Sequence, residues 1–230
     1  MPRLLLFDID GTLLDTGGAG GASLLDAVEE VFNIPRSQIP PLNLAGATDG
    51  GIVRQLFDHV GREMEDTSVE AYMACYLSHL RRRLAHDDFP GLVLPGIPSL
   101  LQTLIAHGSA DIGLLTGNVR GGAEMKLARF DLHPHFIDGA FGDDAEDRNL
   151  LGPVAMRRMS AATGRSYAVE DVIVIGDTPK DIACAHAIGA RCLAVGTGHF
   201  KADALRAYQP WTCLESLAQT EQVCDLLLNQ

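Results

Sequence analysis

The sequence lacks an apolar run long enough to cross a lipid bilayer, which takes about 20 consecutive apolar residues in a helix. Its first apolar run, at residues 4–7, is too short for a secretory signal and is followed at once by Asp8 and Asp10. The five cysteines form no Cys-x-x-Cys pair, and several lie among apolar neighbours. We therefore expect a cytoplasmic protein with reduced thiols and no membrane partner, disulfide framework or zinc site.

Basic residues are also few. The chain has 18 Lys and Arg against 30 Asp and Glu, which gives a formal net charge of -12. Nucleic acids are bound through a surplus of Lys and Arg, so we do not expect a nucleic-acid partner. An acidic protein also repels small anions at long range. Any anionic ligand must therefore be held locally, by a metal ion, a few basic side chains or backbone N–H groups.

Short apolar runs alternate with helical patterns along most of the 230 residues, which favours an α/β fold with a parallel sheet. The runs are continuous, as is typical of strands that are covered on both faces. They lie at residues 4–7, 112–115, 172–175 and 191–195, with a weaker run at 136–141. At the end of the chain, residues 215–228 predict an amphipathic helix.

A long helical stretch interrupts this alternation after the first strand. It follows the glycine-rich residues 17–21, and apolar residues then recur at helical spacing in three segments without a good strand between them. We therefore predict an α/β core formed by residues 1–17 and 91–230, with an all-helical domain inserted at residues 18–90. Hinges are expected at residues 17–21 and 90–91.

Two carboxylates follow the first strand, where the reactive groups of open α/β sheets collect. Asp8 and Asp10 are two residues apart, so an extended backbone points both side chains to one side. Neighbouring acids repel each other unless a cation or a proton lies between them. The pair therefore indicates a metal site or a nucleophile beside an acid or base, and a solvated turn is the alternative.

Polar residues also follow two later strands. Thr116, Gly117 and Asn118 offer a hydroxyl, backbone N–H groups and an amide, which suit phosphate oxygens, although a helix N-cap is the alternative. Asp177 and Asp181 follow the strand at residues 172–175, where Asp177 could also be a helix N-cap. Together with the first acid pair, they supply the oxygen ligands that Mg²⁺ prefers.

The three strand ends resemble, in order and spacing, three of the four motifs of the haloacid dehalogenase superfamily. The residues that carry the resemblance are Asp8-x-Asp10-Gly11-Thr12, Thr116 and Gly176-Asp177-x-x-x-Asp181. The helical insertion resembles the cap of phosphoglycolate phosphatase-like members. The resemblance implies a doubly wound, Rossmann-like parallel sheet with the first strand central. It also implies a phosphatase that uses Mg²⁺ and acts on a small phosphorylated metabolite.

By this resemblance, Asp8 is the nucleophile and forms an aspartyl-phosphate, while Asp10 protonates the leaving oxygen and then activates water. Mg²⁺ is held by Asp8, the backbone carbonyl of Asp10 and Asp177. Asp181 holds a metal-bound water or braces a basic residue. The presence of Asp10 together with Asp177 favours phosphate chemistry over carbon–halogen cleavage. A phosphotransferase or phosphomutase remains the alternative, and an inactive binding protein is a further one.

The same resemblance implies that Thr116 and the backbone around Gly117 and Asn118 bind the phosphate. The third motif is a Lys or Arg that steadies the phosphoryl charge. Here the usual Lys-Pro-x-Pro is absent, and we predict that Arg148 replaces it. The alternatives are Arg157, Arg158 and Lys180.

The cap is expected to set specificity by closing over the site. The loop at residues 46–49 precedes a cap helix and is our candidate for facing the site. Simple capping of that helix by Thr48 or Asp49 is the alternative. The sequence predicts no oligomeric state.

Overall fold

A central sheet of parallel strands organises the fold. The computed structural model describes residues 2–39, 41–86 and 89–229. The strands are β1 (Arg3–Phe7), β2 (Leu14–Asp15), β3 (Leu92–Val93), β4 (Ala110–Leu115), β5 (Gly139–Ala140), β6 (Val172–Gly176), β7 (Arg191–Val195) and β8 (Thr212–Leu214). Within the described residues, six of them form one sheet in the order β5-β4-β1-β6-β7-β8. All neighbours are parallel. The predicted doubly wound sheet with a central first strand is thus confirmed.

The helices fall into two groups along the chain. The first group, between β2 and β3, is α1 (Ala19–Phe32), α2 (Asp49–Val60) and α3 (Asp66–Leu84). The second group is α4 (Ile97–His107), α5 (Arg120–Arg129), α6 (Leu151–Thr163), α7 (Pro179–Ile188), α8 (Ala202–Arg206) and α9 (Thr220–Asn229). The second group alternates with the strands of the central sheet, as parallel pairing requires.

Helices cover both faces of the sheet, and β1 shows why its sequence is continuously apolar. Leu5 and Phe7 point into an apolar cluster that includes residues of α4, α5 and α9. Leu4 and Leu6 point to the opposite face, into a cluster with residues of α6 and α7. All four side chains are completely buried. Because alternate residues of a strand face opposite sides, a strand covered on both faces needs apolar residues at every position.

Helices α1 to α3 share an apolar cluster of their own. It contains the buried rings of Phe57, Tyr72 and Tyr76 and the buried Leu80. The Tyr72 hydroxyl donates a 2.9 Å hydrogen bond to a backbone carbonyl of α1, which satisfies its polar atom inside the cluster. The cluster also reaches Val119, just before α5. The helical unit therefore packs on the α/β core at α5, and its limits at residues 18 and 90 stay a prediction.

A short antiparallel ribbon joins the helical unit to the core. Leu14 of β2 pairs with Val93 of β3, and Asp15 pairs with Leu92. Gly91 precedes β3 with a φ of 51°, and a Cβ there would lie 2.5 Å from the carbonyl oxygen of Asp15. Only glycine fits that conformation and that approach. The sequence did not predict the ribbon, because two-residue strands carry no periodic pattern.

The end of the chain differs from the expectation of one helix at residues 215–228. Strand β8 ends at Leu214, and α9 begins at Thr220. Leu217 lies in the connection between them and is 2% exposed. Leu217 is buried although its backbone is not helical. Its spacing from the apolar residues of α9 therefore matched a helical pattern by coincidence. The weaker strand predicted at residues 136–141 is shorter, at Gly139–Ala140.

No helix in the described part of the chain combines the length and hydropathy that a bilayer crossing requires.

The apolar cluster of α1 to α3 leads to a prediction for stability. Leu80 is 0% exposed in the α1–α3 cluster. Leu80→Ala should lower the free energy of unfolding by about 2–5 kcal/mol, because it leaves a cavity in packed surroundings. Urea unfolding followed by circular dichroism measures this. Ile105→Ala, at a side chain that is 49% exposed on α4, is the control and should change stability by less than about 0.5 kcal/mol.

Candidate active site

The predicted site residues meet at the carboxyl edge of the sheet. Asp8 follows β1, Thr116 follows β4 and Asp177 follows β6, and these three strands are neighbours. A cavity of about 470 Å³ opens there between the strand ends and the helical unit. Its lining includes Asp8 and Asp177 from the core and Leu24 and Tyr76 from α1 and α3. Clefts between two such units are common ligand sites.

Three carboxylates lie together at this edge of the sheet, and two of them, Asp8 and Asp177, line the cavity. Asp8, Asp177 and Asp181 each place a carboxylate oxygen within 4.8 Å of the others, and all three side chains are buried. Burial raises the pKa of Asp8 to about 6, although the guanidinium of Arg148 opposes this shift. Burial and the carboxylates of Asp181 and Asp8 raise the pKa of Asp177 to about 8. Such a group of hard oxygen ligands suits a divalent cation, which would relieve their repulsion.

Arg148 is the cation that the fold places among these acids. Its Nη2 lies 3.2 Å from Asp8 Oδ2 and also donates to Asp181. The same guanidinium donates to the carbonyl oxygens of Gly46 and Leu115, at 3.1 and 3.3 Å. Although burial alone lowers it, the carboxylates of Asp181 and Asp8 raise the pKa of Arg148. The guanidinium therefore stays charged and offsets part of the acidic cluster.

The alternatives to Arg148 are less buried than Arg148 itself. Arg157 and Lys180 are exposed. Arg158 forms an ion pair with Asp144 and donates a hydrogen bond to the Gly139 carbonyl. Arg148 reaches the site because Asp147 caps the short 3₁₀ turn that contains it, accepting the Asn149 N–H at 2.9 Å. The geometry thus favours the residue that the sequence predicted, whose catalytic role stays a prediction.

Asp181 has a second task at the start of α7. Its Oδ2 accepts hydrogen bonds from the N–H and the hydroxyl of Thr178, at 2.9 and 2.7 Å, so the pair forms a capping box. Pro179 occupies the first turn, where its missing N–H costs nothing. The helix N-cap is therefore Thr178 rather than Asp177. Asp181 also accepts a hydrogen bond from Arg148, and its role as a brace for that residue stays a prediction.

Two glycines, Gly11 and Gly198, lie against the carboxylate of Asp177. Gly11 has a φ of 78°, and a Cβ there would lie 2.5 Å from Asp177 Oδ2. A Cβ on Gly198, after β7, would lie 1.7 Å from the same oxygen. Thr12 adds a hydrogen bond from its hydroxyl to Asp177 Oδ1 at 3.3 Å. Gly11 and Thr12 therefore hold the side chain of Asp177 in place.

The carboxylate of Asp10 turns away from the acidic cluster. Both of its oxygens accept hydrogen bonds from Lys126 Nζ, at 2.9 and 2.7 Å. The Asn118 amide donates to Asp10 Oδ2 and to Thr116 Oγ1, at 2.8 Å each. Helix α5 begins after Val119 and has no side-chain cap, so Thr116 and Asn118 do not serve as its N-cap. They belong to a network that continues to Asp10.

Lys126 is the site residue that the sequence analysis missed. It lies inside a helical pattern, where a charged residue usually marks the solvent face. The signal was its position: Ala123 and Leu127 are both fully buried, so Lys126 lies on the apolar side of α5. A lysine there must find a buried partner.

The loop at residues 46–49 contacts residues 117–119, which follow β4. Thr48 caps α2 by accepting the Gly51 N–H, and it donates a 2.6 Å hydrogen bond to the carbonyl of Glu146. Asp49 donates its N–H to the Gly117 carbonyl at 2.6 Å and accepts the Val119 N–H at 2.9 Å. Burial raises the pKa of Asp49 to about 6. Helix capping and contact with the site, which were predicted as alternatives, occur together.

A second group of metal-ligand residue types lies on the outer side of the helical unit. Glu30, Cys75 and His79 bring ligand atoms within 4.8 Å of one another. However, Arg82 Nη2 lies 2.7 Å from His79 Nδ1, and Arg83 pairs with a nearby carboxylate. These guanidinium groups offset the acidic charge and would repel a cation. We therefore describe this group as a polar network between α1 and α3.

Comparison with known proteins assigns the family. Residues 5–195 match the family model described as haloacid dehalogenase-like hydrolase. The chain therefore belongs to the haloacid dehalogenase-like hydrolases. The phosphoglycolate phosphatase of Rhodospirillum rubrum is 27% identical over 204 residues, which cover 86% of this chain and 81% of that protein. Phosphoglycolate phosphatase 1 of Pseudomonas aeruginosa is 25% identical, covering 94% of this chain and 78% of that protein.

A solved structure gives the same result for the fold. The crystal structure of a hydrolase from Pseudomonas syringae superimposes with a TM-score of 0.74 at 20% identity, covering 100% of both chains. The family resemblance expected from the three strand ends is confirmed, and so is the expected class of enzyme, a phosphatase.

Removing the buried guanidinium should destabilise the protein. In the absence of metal, Arg148→Met should lower the free energy of unfolding by about 3–5 kcal/mol, because the carboxylates of Asp8 and Asp181 lose their partner. Arg206→Met removes an exposed arginine and should change stability by less than about 1 kcal/mol. Urea unfolding of both variants checks this, and equal, small changes would contradict the importance of Arg148 to the acidic cluster.

Proposed function

We propose that this protein is a Mg²⁺-dependent phosphatase that hydrolyses a small phosphate monoester through an aspartyl-phosphate on Asp8. The observation that carries the proposal is the buried group of Asp8, Asp177 and Asp181 around Arg148, beside a cavity. A protein of net charge -12 needs such local positive charge to bind a phosphoryl group.

The acidic cluster fits a hard divalent cation. Asp8, Asp177 and the backbone carbonyl of Asp10 would hold Mg²⁺, and the bound ion would offset charge on the phosphoryl group. Arg148 lines the cavity, and its buried Nε–H has no hydrogen-bond partner among the described residues. Its guanidinium would therefore be the cation that attracts the phosphoryl group. Thr116, with the backbone around Gly117 and Asn118, would bind a phosphoryl oxygen.

Asp8 and Asp10 would then carry out the chemical steps. A carboxylate oxygen of Asp8 attacks phosphorus, and the bond from phosphorus to the ester oxygen breaks. Asp10 gives a proton to that oxygen as it leaves. Asp10 next takes a proton from a water molecule, which attacks the aspartyl-phosphate and releases phosphate. Asp8 is regenerated, and the sum of the two steps is hydrolysis of one ester bond.

The cavity and the relatives support a small substrate. Apart from the catalytic groups, its walls include Leu24, Leu44, Ile52 and Tyr76 of the helical unit, which would exclude water when the cap closes. The two curated relatives are phosphatases named for a small phosphorylated acid. Their activity favours water over a second substrate as the phosphoryl acceptor, and so a hydrolase over a phosphotransferase. We also propose that the protein acts in the cytoplasm and that residues 18–90 form a cap over the cavity.

Replacement of the nucleophile tests the mechanism. Asp8→Asn should reduce the hydrolysis of p-nitrophenyl phosphate by on the order of 10⁴-fold or more, because an amide cannot form the phosphoenzyme. Asp203→Asn, at an exposed position on α8, should keep wild-type activity. Substantial activity in Asp8→Asn would exclude this mechanism.

Metal removal tests the cation site. EDTA should abolish hydrolysis, and added Mg²⁺ should restore it. Asp177→Asn should raise the Mg²⁺ concentration needed for half-maximal activity by at least about tenfold, because the site loses a charged ligand. The measurement is initial rate against free Mg²⁺, with Asp203→Asn as the control. Equal rates with and without metal would disprove the assignment.

A further inference from the structure

We propose that Lys126 is a positioning residue, which holds the side chain of Asp10 in the orientation from which its protonated form gives a proton to the leaving oxygen. The inference rests on the proposed phosphatase function and adds to it a residue that the motifs do not include.

The geometry around Asp10 points to a clamp. Lys126 Nζ contacts both oxygens of Asp10, at 2.9 and 2.7 Å, and also Asn118 Oδ1 at 2.6 Å. The Asn118 amide donates to the same carboxylate at 2.8 Å. The lysine is itself only 4% exposed. Two donors therefore fix both torsions of the Asp10 side chain, and each donor is held by the other.

Packing alone does not fix Asp10. Its side chain is 43% exposed, whereas that of Asp8 is 6% exposed. A carboxylate with that much exposure can rotate toward solvent, away from the ester oxygen. A general acid must lie within about 2.6–3.2 Å of the oxygen that it protonates. The contacts from Lys126 and Asn118 are what restrict Asp10 to the cavity side.

Lys126 is placed for this task rather than for binding phosphate. Its ammonium is occupied by Asp10 and Asn118, and the cation beside Asp8 is Arg148. Its Nζ also reaches the first turn of α1, where a Cβ on Gly20 would lie 3.2 Å from it. The absence of a side chain at Gly20 leaves room for the ammonium. The clamp therefore lies where the helical unit meets the core.

Two esters with different leaving groups separate positioning of the acid from other roles. An alkyl oxygen needs a proton as it leaves, whereas a 2,4-dinitrophenolate does not. The quantity to compare is kcat/KM, which reports the steps up to formation of the aspartyl-phosphate. Lys126→Met should lower kcat/KM for ethyl phosphate by about 10- to 100-fold, and for 2,4-dinitrophenyl phosphate by less than about threefold. Lys201→Met, at an exposed lysine before α8, should change neither value.

A double-mutant cycle with Asp10→Asn shows whether Lys126 acts through Asp10. If it does, adding Lys126→Met to Asp10→Asn causes no further loss with ethyl phosphate. Equal losses for the two esters, no loss for either, or a further loss in the double variant would each overturn the inference. Lys126→Arg keeps two donors for the carboxylate and provides a milder variant, which should retain the wild-type ratio of the two kcat/KM values. Wild-type enzyme that hydrolyses neither ester would overturn the proposed function itself.

Discussion

Repulsion among buried carboxylates is the constraint on which the rest of this structure depends. Asp8, Asp177 and Asp181 lie within 4.8 Å of one another at the edge of the sheet, where burial makes like charges costly. The fold meets this cost with the guanidinium of Arg148, which contacts two of the three acids. The negative charge that remains would favour a further cation at this edge, which is the reason for the Mg²⁺ site proposed above.

The sequence predicted those parts of the fold that carry a pattern or a motif. Strands such as β1 and β6 were predictable because burial on both faces demands a continuous apolar run. Asp8 and Asp177 were predictable because parallel strands bring their carboxyl ends to one edge. Strands β2, β3 and β8 are only two or three residues long, and residues so few cannot show a period.

The parts of the site that escaped prediction depend on tertiary contacts. Lys126 looks like any helical lysine in sequence, and its partner Asp10 is 116 residues away. Arg148 was chosen from motif order, but its contacts with the carbonyls of Gly46 and Leu115 depend on how the cap loop and β4 meet. The sequence shows which residue types are present. Which distant residues form ion pairs and hydrogen bonds follows only from the way the helices and strands pack.

The β2–β3 ribbon has a consequence for the origin of the helical unit. Because Asp15 and Leu92 are paired neighbours in the ribbon, the chain leaves the core and returns to it at one point. A tight turn of two residues is enough to join paired antiparallel strands. The helical unit could therefore be lengthened, exchanged or shortened to a turn without moving any strand of the central sheet. Such an attachment would let the cavity walls that the helical unit supplies change while the strands before Asp8 and Asp177 stay in place.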